Sequence, residues 1–256
     1  MAMAPNAASV ELKSNSGVAS EPKTQMPEDI KNAKIEEKET VVEHMPKKEE
    51  VGVEIDPNTG TSFPVKLEDG KQLNCVGVRK KSIIGFGINI YSFGMYADNE
   101  KLRDLLKSSV GGSPEKPVEQ MYQKVIDSDV EIMVRLVIVF SSLTMGMVRI
   151  NLDKGLGAAI KKFGGGKENE GLTRRIMGEA TDDIKLTSGS VIEISRLPGY
   201  TLQTKVKGDL VSKIESELLC RAYIYMYLGD DALDKDAKDK FGTSMLKLLW
   251  SGVQKL

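Results

Sequence analysis

The chain has 256 residues, 40% of them hydrophobic, with a formal net charge of −1. That length allows one or two domains with a substantial core, and the near-neutral balance excludes a global electrostatic bias toward nucleic acid or a charged membrane. Two cysteines, Cys75 and Cys220, sit in apolar runs and suit buried, reduced thiols of an intracellular protein. The sole histidine, His44, lies outside the part expected to fold, which removes the commonest general base and metal ligand from it.

In chain order, the first 50 residues hold no Phe, Tyr or Trp but four of the nine prolines, with 10 acidic and 7 basic side chains. Such a composition buries too little apolar area to offset chain entropy, and it predicts a disordered tail over 1–48. The tail lacks arginine and carries Glu11, Glu21, Glu28 and Asp29, unlike a transit peptide, and no secretory apolar stretch follows Met1. The most apolar run, LVIVF at 136–140, is far shorter than the ~20 residues that span a bilayer. A soluble, cytoplasmic protein is expected, with the plastid stroma as the alternative compartment.

Residues 49–256 read as one α+β domain. Strands are expected at 51–56, 61–67, 73–82 and 88–98, the second and third joined across Asp69-Gly70. Helices follow at 99–109 and 114–126, with Asn99 and Ser113 as N-caps, then a strand over 130–140. The apolar spacing of 144–162 is helical and stops at Gly164-Gly165-Gly166, a candidate left-handed cap. A further helix is expected over 169–181, strands over 190–197 and 200–208 around the Pro198-Gly199 turn, and helices over 211–228 and 235–250. Strands with segregated helices predict an antiparallel sheet covered on one face.

Familiar chemical motifs fail on inspection. GLGAAI (155–160) sits inside a helical pattern and reads as helix packing or a local bend, and GFGINI (85–90) runs into a strand, so neither cradles phosphate. DDALDKDAKDK (230–240) lacks the glycine of a calcium loop and reads as a solvated helix start. No CxxC or HExxH occurs, and the absence of histidine from the folded part excludes Ser-His-Asp and Cys-His chemistry. No cofactor or metal is called for.

The stretch GVRKKSIIGFGINIYSFGMYADNE (77–100) places Arg79 and Tyr91 in a run otherwise suited to a sheet. Strict alternation over 88–96 predicts Ile88, Ile90, Ser92, Gly94 and Tyr96 on one side, with Asn89, Tyr91, Phe93 and Met95 on the other. Taken alone, Arg79 reads as an exposed edge charge and Tyr91 as an ordinary sheet aromatic.

The order of Arg79, Tyr91, Gly94-Met95-Tyr96-Ala97, the helical block, LTSGSVIEISRL and YLGDDALDKDAKDKF resembles the chalcone isomerase fold family over residues 50–256. The resemblance implies an open-faced β-sandwich, a large antiparallel sheet with helices on one face and a ligand cleft between. That family includes isomerases and non-catalytic members, among them plant fatty-acid-binding proteins. In the isomerases a strand arginine stabilises the developing enolate, assisted by threonine, tyrosine, asparagine and a last hydroxyl. Arg79 matches the arginine, while Tyr91, Met147, Lys154 and Met226 fall at the other four positions. Thioethers in place of hydroxyls make a greasier pocket with one charged end. The resemblance therefore implies a ligand set of Arg79, Tyr91, Met147, Lys154 and Met226, no catalytic residue, and a long-chain fatty acid held through its carboxylate by Arg79 and Tyr91. An auxiliary protein of flavonoid metabolism and an active chalcone isomerase are the alternatives. The protein partner and the oligomeric state are left open.

Overall fold

A computed structural model describes residues 52–83, 86–109, 114–164, 175–178, 182 and 184–251. The tail expected over 1–48, the cap expected at Ser113 and most of the helix expected over 169–181 lie outside the described residues.

β-Branched and aromatic residues in period two build the sheet. β3 (Gln72–Ile83) and β4 (Phe86–Ala97) form a long hairpin, and β5 (Ile132–Ile138) pairs with the other side of β4. β8 (Val191–Leu197), β9 (Thr201–Val206) and β10 (Asp209–Glu215) complete an antiparallel sheet of order β10-β9-β8-β5-β4-β3. Two short pairs stand apart from it, β1 (Val53–Ile55) with β2 (Ser62–Pro64), and β6 (Leu143–Thr144) with β7 (Lys185–Leu186).

Alternation sorts each central strand between two cores. Phe93, Met95, Val134, Leu136, Ile192 and Ile194 join the main core, whereas Val76, Tyr96 and Met133 meet Phe63 of β2 on the opposite face. Among the described residues these helices accompany the sheet: α1 (Asn99–Ser109), α2 (Glu119–Asp127), α3 (Met145–Phe163), α4 (Glu217–Leu228) and α5 (Lys235–Trp250). The main core is made between the sheet and apolar faces of these helices, including Leu102, Val125, Leu156, Tyr223 and Phe241.

Three expectations need correction. The helix expected over 211–228 splits into β10 and α4, because Lys207 (φ 53) and Gly208 (φ 95) make a tight turn that sends the chain back along β9. α1 is capped one residue earlier than expected, with Asp98 Oδ1 accepting from the Lys101 N–H at 3.1 Å, so Asn99 is the first helical residue. α3 ends at Gly164 with φ −85, so that residue is not in the left-handed region.

The strict alternation expected over 88–96 also fails at one place. Arg79 pairs with Tyr91 but Lys80 pairs with Asn89, so Ile90 is an extra residue, a β-bulge. Its carbonyl accepts from both Val139 N–H and Phe140 N–H. The bulge lets Ile90 and Tyr91 line the same side and reverses the phase of everything beyond them.

Candidate functional site

The bulge opens a cleft between the β3–β4 hairpin, α3 and α4. Arg79, Lys81, Ile90 and Tyr91 come from the hairpin, Asn151, Leu152 and Gly155 from α3, and Met226 and Tyr227 from α4. The cleft is narrow, with an interior volume of about 50 Å³ against the ~300–1,000 Å³ usual for small-molecule pockets, so a long ligand enters only as the lining side chains move apart.

Arg79 and Tyr91 are cross-strand partners, which fixes both on one face at one depth. Arg79 is half-buried, and among the described residues no carboxylate pairs with it. Tyr91 and Tyr227 both line the cleft, and the Tyr227 hydroxyl lies 3.4 Å from that of Tyr223, so three phenols run from the cleft into the core. Edge-to-face contacts of Tyr227 with Phe93 at 5.1 Å and with Tyr223 at 5.4 Å hold the rings in place. Burial pushes the Tyr91 phenol above its ordinary value, partly offset by the Arg79 cation, and burial raises Tyr223 and Tyr227 as well. All three are neutral hydroxyls at physiological pH. The cleft thus offers the Arg79 guanidinium, with Lys81 at its mouth, phenolic O–H groups and otherwise mostly apolar walls.

At the mouth, Lys81 Nζ donates to Asn151 Oδ1 at 3.1 Å, joining the hairpin to α3. Gly155 permits close approach of the two helices: a Cβ there would meet Met226 Cε at 3.0 Å. This is the packing use expected for the GLGAAI string.

Of the five residues expected at the site, Arg79, Tyr91 and Met226 come together in the cleft, and Met147 and Lys154 do not. Met147 is 42% exposed and Lys154 is exposed, both on the outer side of α3. The reason is helical phase. The buried stripe of α3 runs through Met145, Val148, Leu152, Leu156, Ala159 and Ile160, which turns 151, 152 and 155 toward the sheet and 147 and 154 away from it. That stripe was readable in the sequence and corrects the expected positions by one residue. Tyr227, Asn151 and Lys81 were not expected at the site. Tyr227 lies beside Met226, and the four-residue spacing of Tyr223 and Tyr227 was the available signal.

Among the described residues there is no group of three His, Cys, Asp or Glu side chains poised to hold a metal, and no helix long and apolar enough to cross a membrane.

Comparison with models of known protein families finds no match. Among curated proteins, the chain is 54% identical over 198 residues to chalcone isomerase-like protein 1 of Humulus lupulus, covering 77% of this chain and 92% of that one. The chain belongs to the chalcone isomerase-like family. It is also 31% identical over 191 residues to fatty-acid-binding protein 1 of Arabidopsis thaliana, covering 73% of this chain and 68% of that protein. The crystal structure of an Arabidopsis thaliana fatty-acid binding protein superposes with a TM-score of 0.72 at 30% identity, over 78% of this chain and 100% of that one. The α+β architecture of one large antiparallel sheet and helices is thus the chalcone isomerase-like fold, as the sequence resemblance implied.

Proposed function

We propose that this chain binds a long-chain fatty acid, or a similar amphipathic carboxylate, without transforming it. The carrying observation is the half-buried Arg79 guanidinium, which has no carboxylate partner among the described residues and stands beside the Tyr91 hydroxyl at one end of an otherwise largely apolar cleft. A partly desolvated cation is stabilised by an anion, and a guanidinium can meet a carboxylate through two parallel hydrogen bonds. Tyr91 adds one donor. The alkyl chain then lies against Leu136, Val148, Ile194 and Met226, where each Å² of apolar contact contributes about 25 cal/mol. Relatives named as fatty-acid-binding proteins support the same reading.

A second reading has its own support. The relative at 54% identity carries the name chalcone isomerase-like protein, and the aromatic rings beside Arg79 suit a phenolate as well as a carboxylate. In either case turnover is not expected: among the described lining residues the polar side chains beyond Arg79 and its phenols are Lys81 and Asn151, which bond to each other.

Binding of a fatty acid and of its methyl ester, measured by calorimetry on wild type and Arg79→Gln, tests the proposal. Loss of a charge-assisted pair worth roughly 1.5–3 kcal/mol should weaken acid binding about 10- to 150-fold. The ester should bind wild type weakly and be little affected by the substitution. Equal binding of the acid by both proteins would refute the anchor. Tight binding of a chalcone with no measurable fatty-acid binding would favour the second reading, and stereoselective chalcone cyclisation abolished by Arg79→Ala would overturn both.

A further inference from the structure

The far end of the β3–β4 hairpin leaves the protein core and exposes apolar side chains. Phe86 is 76% exposed, and on the outward side of α3 Ile150 and Met147 are 57% and 42% exposed. Single exposed apolar residues are ordinary, whereas several on neighbouring elements mark an interaction surface. The Ile90 bulge sets their direction. Beyond it Lys81 pairs with Ile88 and Ile83 with Phe86, so Lys81, Ile88 and Phe86 share the strand face that looks toward α3. The Lys81–Asn151 hydrogen bond ties that face to the helix, and Ile150 and Met147 lie one and four residues before Asn151.

The charges around this rim have one dominant sign. From Gln72 to Ala97 the hairpin carries neither Asp nor Glu, in a chain whose overall net charge is −1; of its cations Lys81 is on this face, while Lys80 is on the other and donates to Asn58 Oδ1 at 3.3 Å. On α3, Met147, Ile150 and Lys154 form one outward stripe, the only acid of the helix is Asp153, and Arg149 is paired with Asp182.

We propose that this rim docks on an anionic lipid bilayer. Phe86, Ile150 and Met147 enter the interface, Lys81 and Lys154 lie over the anionic headgroups, and the cleft mouth faces the acyl region. Basic residues beside an apolar tip are the combination that interfacial binding needs, since apolar burial and headgroup attraction add. The arrangement rests on the amphipathic-ligand reading for its purpose: such a ligand passes between bilayer and cleft without crossing water.

The test is sedimentation of the full chain with vesicles of phosphatidylcholine alone and of phosphatidylcholine mixed with phosphatidylglycerol, with no fatty acid added. Wild type should partition to the mixed vesicles and be released by salt. Phe86→Ser and Ile150→Ser should each lower partitioning about tenfold, and Lys154→Glu about fivefold or more on the mixed vesicles. Fatty-acid binding by these variants in vesicle-free solution should match wild type, so failure of docking and failure of the ligand reading are scored separately. Wild type remaining in the supernatant with both vesicle types overturns the proposal, as does undiminished partitioning by a Phe86→Ser, Ile150→Ser double variant. If wild type stays in the supernatant and forms a concentration-dependent dimer that Phe86→Ser dissociates, the patch is a contact between copies of this chain and not a lipid site.

Discussion

Arg196 is wholly buried, and its guanidinium is satisfied by the chain itself. It donates from Nε to the Val130 carbonyl at 2.9 Å and from Nη1 to the Val125 and Ile126 carbonyls at 3.0 and 3.1 Å, closing the C-terminal end of α2. Desolvation nonetheless lowers its pKa to about 10. Arg79, by contrast, borders a cleft and has no such ring of acceptors among the described residues, which is why the two cations carry different readings. Replacing Arg196 by Met keeps much of the volume but strands several carbonyls, and should lower stability by about 2–4 kcal/mol, read as a smaller denaturant midpoint at unchanged slope. A midpoint equal to wild type would mean that water reaches those carbonyls. At this scale the sequence disclosed chemistry without surroundings. Arg79 and Tyr91 stood out as misfits in a strand, but nothing local in the sequence announces that Arg196 is a buried cap, because its acceptors lie 66–71 residues away.

Among the elements, those with one strong period were legible and those that interrupt a period were not. The helix expected over 235–250 is α5 to the residue, since Asp234 is a good N-cap and the acidic run solvates the first turns. β10 was read as helix because it is an exposed edge strand with a register shift between Leu210 and Ser212, which removes the alternation that marks a strand. The Ile90 bulge misled in the same way. Both irregularities are set by pairing partners, and a single strand's sequence does not contain its partner. Asp234 also joins two elements: Oδ1 accepts from Ala237 N–H at 3.1 Å as the helix cap, and Oδ2 accepts from Val78 N–H at 2.8 Å on β3, the sheet's outer strand. Asp234→Ala should therefore cost more than a cap alone, about 2–3 kcal/mol against the usual ~1, with Asp234→Asn recovering part of it. Thermal unfolding of the two variants checks this, and equal losses of about 1 kcal/mol would show that the β3 bond contributes nothing.

For the whole folded part, the phenols and thiols give stability a direction with pH. Tyr91, Tyr96, Tyr122, Tyr223 and Tyr227 all have raised pKa values because burial disfavours the phenolate, Tyr96 and Tyr122 reaching about 12. Cys220 is likewise pushed up to about 12 and Cys75 is raised by its burial. Once unfolded, the cysteines ionise near 9.0 and the tyrosines near 10.0. Above those values the unfolded chain binds fewer protons than the folded one, so stability falls as pH rises, by up to about 1.4 kcal/mol per pH unit for each group involved. The contribution is fully present below about pH 9 and is lost upward through the folded values. The expected result is a cooperative alkaline transition in which tyrosinate absorbance, thiol reactivity and loss of helical circular dichroism appear together. Because Tyr91, Tyr227 and Tyr223 run from the cleft into the core, a bound carboxylate accepting from Tyr91 should move that transition to higher pH in wild type but not in Arg79→Gln. Tyrosines that instead titrate independently near pH 10 with the helices intact would mean that the phenols are open to water, and the cleft would then be wet and unsuited to an acyl chain.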